Sequence, residues 1–300
     1  MRLLEAFSDV SSFTAVARAA HMTSCAALAS VFVFERVIVR RCGAVPRRAW
    51  VIWLSLVTLV ISGAAWLAAV TIDMTGLPIS EALTRENLRL VLTQCDFGKL
   101  WLIRICVVVL TTIAWFILRA LRRGNKADAL LAGSIALLGS LAWAGHGSFG
   151  SKPNLHLTAD TIHLLIIALW PGGLLPLWLV LVNGMEINRL TAIVNRFSNF
   201  ALLAVAILVG SGWINTWMII ASWRGLIDTP YGQTLLVKLA LLLGMLLLGA
   251  ANLLYLRPRI TTKESAMRRL RWNVAIETAL LLGLMLVVGY LGLLPPPAEL

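Results

Sequence analysis

The sequence predicts an all-α, polytopic membrane protein with eight transmembrane helices. Three observations lead there. Hydrophobic residues make up 59% of the 300-residue chain and charged residues only 13%, where a soluble domain is nearer a quarter charged. The apolar residues fall in runs of about 20, the length a helix needs to cross a bilayer. The runs do not alternate polar with apolar, as barrel strands of about 10 residues would.

The eight segments are 11–34, 50–72, 97–119, 127–146, 157–182, 197–220, 232–256 and 272–293. Span one is the most polar, with Arg18, His21 and several Ser and Thr residues. Span two is rich in Leu, Val, Ile and Ala. Span three opens with FGKLWLIR at 97–104, and span four ends near His146. Span five is interrupted by Trp170-Pro171-Gly172-Gly173. Proline removes a backbone hydrogen bond and glycine permits close approach, so a kink lining a cavity is expected there. Span six ends among Trp213, Trp217 and, just beyond it, Trp223, which reads as an interfacial belt. Span seven opens with YGQTLLVK at 231–238, and span eight carries Glu277.

Charge sets the expected orientation. The loops after the odd-numbered spans hold 17 basic and 4 acidic residues, and the opposite face holds 5 basic and 8 acidic residues. The positive-inside rule puts the odd loops in the cytoplasm and both termini outside. The net charge of +12 is therefore a topology signal, and nucleic-acid binding is set aside. Cys25, Cys42, Cys95 and Cys106 form no C-x-x-C pair, so no disulfide framework is expected. No cleaved signal peptide is expected either.

Spans three and seven both open with an aromatic–Gly pair and carry a basic residue seven positions after the aromatic. Spans one and five each carry a histidine near the outer end, His21 and His163. Within one integral membrane domain of 1–300, this pattern fits a tandem 4+4 repeat with halves 1–146 and 157–300. Chance likeness between Leu-rich helices fits it as well.

Three of the four histidines, His146, His156 and His163, lie in or just after the outer loop between spans four and five, and His21 enters from the same side. His156, Asp160 and His163 share a helix face by their spacing. Imidazole, thiolate and thioether suit copper, and Cys and Met favour the cuprous ion. His21, His146, His156 and His163, with Met22 and Cys25, thus form a candidate outward-facing copper site. Asp160 would orient an imidazole, or serve as a surface acid near a helix N-terminus. His146 and His156 also fit plain interfacial residues. The deeper His21 and His163 favour a functional reading, since ionisable residues inside a bilayer are costly. Arg104 and Lys238 would pair with Asp160, bind an anion or snorkel to the interface. Met74 and Met218 are further outer thioethers, as readily explained by packing.

RFSNFALLAVAILVGSGWINTWM (196–218), YGQTLLVKLALLLGMLLLGAANLLYLRP (231–258), the GH at 145–146 and HLLIIALWPGGLLPL (163–177) resemble the copper resistance protein D (CopD) family. FGKLWLIR fits that pattern too, and Pro171 departs from it, because a small or apolar residue usually follows the tryptophan there. The resemblance covers spans three to eight well and the first two loosely. It implies an inner-membrane protein linked to copper, generally regarded as moving it from periplasm to cytoplasm, which would make both termini periplasmic. Tyr231, Gly232, Lys238 and Asn252 match the family's helix-seven signature, with a structural or gating duty implied.

The leading expectation is therefore a copper (Cu+ or Cu2+) importer, with Pro171 kinking a path inward. The inner half offers only Glu277, Asn252, Met245 or Met267 as further ligands. A second reading is a b-type haem protein with His21 and His163 as axial ligands. A third is a partner of a periplasmic copper chaperone, docked on the acidic outer loop of Asp73, Glu81, Glu86 and Asp96, which also reads as merely solvated. No hydrolase, Walker or Rossmann fingerprint occurs, so no enzyme is expected. No cytoplasmic loop is long enough to hold a nucleotide-binding domain.

Overall fold

The computed structural model describes residues 10–39, 49–121, 126–145, 153–220 and 222–297, and these form twelve α-helices and no strand. In chain order they are α1 (Val10–Val33), α2 (Ala49–Thr75), α3 (Ile79–Ala82), α4 (Arg85–Gln94), α5 (Asp96–Ala120) and α6 (Lys126–Gly139). Then come α7 (Pro153–Ile167), α8 (Leu174–Val182), α9 (Ile187–Ile219), α10 (Trp223–Ile227), α11 (Pro230–Ala251) and α12 (Glu264–Leu291). α1 runs on through a π-helical turn at Phe34–Val39, and α11 through another at Asn252–Leu256.

Six helical stretches are long and apolar enough to cross a membrane, and they coincide with predicted spans one, two, three, six, seven and eight. The fourth is a shorter apolar helix, Asp128–Ala144, finished by a 3-10 turn from Ser140. The fifth departs from the expected kink. The chain breaks into α7 and α8, and tight turns over residues 168–173 join them. Pro171 has no N–H to give, and the Gly172 amide reaches back to the Ile167 carbonyl at 2.8 Å. Two glycines follow because the break is tightly walled. A Cβ at Gly172 would overlap Ser30 Oγ of α1, and one at Gly173 would come within 2.8 Å of Phe197 in α9.

Side-chain polarity is inverted relative to a water-soluble bundle. Leu102, Ile103, Leu110, Phe116, Val60 and Leu247 face outward, while His21, Ser62, Arg104, Ser211 and Glu277 are buried. Trp213, Trp217 and Trp223 are exposed, as a belt requires. α9 starts ten residues earlier than predicted. Leu190, Ile193, Val194 and Phe197 fall at helical spacing and are buried, so this polar stretch is amphipathic rather than loop. The acidic segment between α2 and α5 is also helical: Thr84 caps α4 by accepting from the Asn87 amide at 3.2 Å.

Most buried apolar residues fall into two cores. One joins α1, α2, α5 and α6 around Trp66, Trp101 and Leu138. The other joins α8, α9, α11 and α12 around Leu174, Ile193, Met245 and Val274. α1 crosses α12 at Gly289, where a Cβ would overlap the Ala15 carbonyl and press on Ala19. Gly289→Leu is thus expected to lower the unfolding midpoint in detergent. Overpacking of this kind costs ~1–3 kcal/mol, and an unchanged midpoint would contradict this crossing.

Candidate functional site

α7 begins at Pro153, and its face carries His156, Asp160 and His163 as the spacing predicts. All three line a cavity of about 180 Å³. Arg18 and Met22 of α1, Asn215 of α9, Tyr231 and Lys238 of α11 and Met285 of α12 complete its polar and sulfur lining. His163 Nδ1 lies 3.0 Å from Ser211 Oγ, whose own proton goes to the Ile207 carbonyl at 2.7 Å. Nδ1 is therefore the donor, and the Nε2 lone pair remains for a metal or a proton. Asp160 accepts from Asn215 Nδ2 at 3.2 Å, and Asn215 Oδ1 is buried without a partner among the described residues.

His21 sits elsewhere. It does not line this cavity, and both its ring nitrogens are occupied. Nδ1 faces the Leu59 carbonyl at 3.2 Å and Ser62 Oγ at 3.3 Å, and Nε2 accepts from Arg104 at 2.7 Å. Trp66 and Trp101 enclose the ring. Arg104 also donates to Cys25 Sγ at 3.3 Å, to the Leu137 carbonyl at 2.7 Å and to Ser140. Arg104 thus neither snorkels nor meets Asp160; four neighbours in the first half hold it. The expected cluster of His21, Cys25, His156 and His163 divides into two places. A bis-imidazole haem site on His21 and His163 has no support in this arrangement. His146 lies outside the described residues.

The two places share a layout. Each histidine meets a Ser-Gly pair through Nδ1, Ser62-Gly63 or Ser211-Gly212. A Cβ at either glycine would stand 3.3 or 3.2 Å from the imidazole Cε1. Each basic residue follows an aromatic–Gly pair, and each of those glycines is pressed onto a short preceding helix. A Cβ at Gly98 would overlap the Val91 carbonyl of α4, and one at Gly232 those of Gly225 and Leu226 in α10. The contrast is in the last contact. Arg104 closes on His21, whereas no hydrogen bond joins Lys238 to His163.

A second cavity, of about 270 Å³, lies beyond the helix break. The first reaches Ile167 and Leu284, and the second takes in Trp170, Leu174, Asn252 and Glu277. Met245 and Met267, expected as inner ligands, are packed in the second-half core and do not line this cavity. Met218 stays outside the first cavity, and Met74 instead meets Cys95 at 3.7 Å. Sequence reasoning missed Ser211, Asn215 and Met285. Aligning the two halves on His21 and His163 would have exposed the repeated Ser-Gly. Among the described residues no three His, Cys, Asp or Glu side chains converge closely enough to hold a metal as they stand.

The copper resistance protein D family profile matches residues 191–291, and the profile of the copper resistance protein D-like N-terminal domain matches residues 8–152. Copper transport protein CutJ of Bacillus subtilis is 32% identical over 187 residues, covering 60% of this chain and 34% of that protein. Copper resistance protein D of Pseudomonas syringae pv. tomato is 32% identical over 226 residues, covering 70% and 72%. Inner membrane protein YebZ of Escherichia coli is 30% identical over 208 residues, covering 68% and 70%. The chain therefore spans about a third of the CutJ protein and about seven-tenths of the other two. No solved structure matches.

The Arg104 contacts predict a difference between the two basic residues. A hydrogen bond to a charged group contributes roughly 1.5–3 kcal/mol, and buried Arg104 makes several. Arg104→Gln is expected to lower the thermal midpoint of the purified protein clearly more than Lys238→Gln. Equal losses would mean that Lys238 is held as firmly as Arg104.

Proposed function

The chain belongs to the copper resistance protein D family, and from that premise we propose that it carries copper across the inner membrane from periplasm to cytoplasm. The observation that carries this reading is the His163 cavity. An imidazole with its Nδ1 anchored stands there beside His156, two thioethers and an unsatisfied amide oxygen. Neutral nitrogen and soft sulfur donors suit the cuprous ion. Arg18 and Lys238 share the cavity with Asp160, so its attraction for copper lies in these donors rather than in net negative charge. A loose donor set is what a carrier needs, because the ion must leave again.

The reading is of eight passes in two tandem four-helix halves, with the broken α7–α8 segment as the fifth pass and both termini periplasmic. The repeated His, Ser-Gly and basic-residue layout supports the duplication. In this reading the His21 place is a scaffold, and the His163 cavity, to which α1 adds Met22, holds the ion. The break over 168–173 separates the outer cavity from the inner one and is where access would alternate. Tyr231 walls the outer cavity, and Asn252 stands at the inner. Asp73, Glu81, Glu86 and Asp96 are exposed at the outer end, and their charge suits docking of a periplasmic copper donor.

Two measurements test this. Competition with a chromogenic cuprous chelator on purified protein should give a Kd that rises about tenfold or more in His163→Ala, or ~1.4 kcal/mol. His21→Ala should leave that Kd unchanged while lowering stability. Equal losses in both variants, or a Soret band that vanishes in both, would overturn the copper-cavity assignment. In proteoliposomes, Gly172→Val should keep binding yet abolish copper uptake. Uptake at the wild-type rate would remove the break from the pathway.

A further inference from the structure

Glu277 has no place in the copper capture just described, yet it is the most deeply buried acid among the described residues. It lies midway along α12 and is 2% exposed. One carboxylate oxygen, Oε1, accepts from Asn252 Nδ2 at 2.5 Å, and Asn252 Oδ1 in turn accepts from Asn273 Nδ2 at 2.8 Å. The amide chain thus runs in one direction, delivering a donor to Oε1. The other oxygen, Oε2, lies toward Gly249, where a Cβ would still be 3.9 Å away. That oxygen has room on the cavity side.

The cavity that Glu277 lines gives it no counter-charge. α8 contributes Leu174 and Leu177, α9 contributes Phe197 and Ser198, and α11 contributes Leu246 and Gly249. No other residue lining it is titratable. The cations of the same helices do not line it: Lys238 lines the other cavity, Arg257 is held by Asn195 and Asn199 at 2.6 and 3.0 Å, and Arg271, six residues before Glu277 on α12, is absent from the lining. A carboxylate charge is costly in such surroundings unless water or a cation reaches it. The helix facing it is irregular at the point of contact. The π-helical turn Asn252–Leu256 begins at the residue that bonds Glu277, and such turns occur often at functional sites.

We propose that Glu277 is a proton-carrying site: Oε2 takes one proton from water admitted to the inner cavity and returns it there, while Asn252 holds Oε1 in place. The alternative is a plain polar clamp between α11 and α12, and a clamp does not exchange a proton. The site itself stands on the inner cavity alone. Its coupling to copper movement rests on the carrier reading.

Dicyclohexylcarbodiimide, an apolar reagent that adds to protonated carboxyls, tests the site on the full chain in detergent without copper. The carboxyl proton passes to a reagent nitrogen as the oxygen bonds its central carbon, so the whole reagent is retained as added mass. Mass spectrometry is expected to find that adduct on the peptide containing Glu277, in a yield that falls as pH rises. It should be absent in Glu277→Gln, which keeps the Asn252 bond and the fold. No adduct at Glu277 in the folded protein, or a yield indifferent to pH, would overturn the proposal. So would protection by cuprous ion at a pH where labelling is otherwise full, which would make this a metal site. The coupling is read separately in proteoliposomes. Wild-type copper uptake should respond to an imposed pH gradient, and Glu277→Gln uptake should not. Failure of wild-type uptake altogether would count against the carrier reading and leave the labelling result standing.

Discussion

No water is available inside the hydrocarbon layer, so every polar group carried into this bundle must be answered by the protein itself. Most are answered locally. Thr23, Ser24, Ser30, Thr71 and Ser198 return their hydroxyls to the carbonyl four residues back, which hides the group within its own helix. His21 is answered across helices by Leu59, Ser62 and Arg104. Four buried side-chain atoms lack a partner among the described residues, and two of them, Arg196 Nε and Arg271 Nε, lie away from the first cavity. Asn215 Oδ1 and Arg18 Nε are buried without partners among the described residues, and both side chains line the space into which His163 faces.

The same rule explains how one layout serves two ends. Arg104 presents a flat guanidinium with five N–H groups, enough to reach His21, Cys25, Leu137 and Ser140 together. Lys238, at the matching position, offers one compact ammonium. Trp66 and Trp101 close the space around His21, whereas Asn215 and Leu235 stand at the corresponding positions near His163. An aromatic wall and a fork-shaped cation leave His21 with both ring nitrogens engaged. Smaller residues and a point charge leave a chamber.

Much of this was legible in the sequence. Long apolar runs located six of the spans and the fourth, shorter helix, and the aromatic–Gly pairs marked the two matching helices. Trp170-Pro171-Gly172-Gly173 marked the interruption, although a full break with a separate α8 exceeds what one proline implies. The loss came where the signal depends on three dimensions. His21, Met22 and Cys25 are neighbours on a helix, yet Met22 faces the chamber while His21 and Cys25 face Arg104. A periodicity argument sees that these residues are close and not which neighbour each one meets. Ser62 and Ser211 were invisible for another reason: small hydroxyl residues are frequent in membrane helices, and only the imidazole opposite gives these two a role.

The α1–α12 crossing bears on how such a chain is made. Gly289 lies against Ala15 and Ala19, so two of the surfaces that fit most tightly belong to helices separated by nearly the whole sequence. Synthesis delivers α1 to the membrane long before α12 exists. Until then the small-residue face of α1 has only lipid to contact, and Arg18 lacks the wall that Gly292 later supplies. The crossing forms only once α12 has been inserted, and contacts between such distant segments form late in folding. A ribosome that stalls after α11 therefore leaves α1, α8 and α11 without the helix they all pack against.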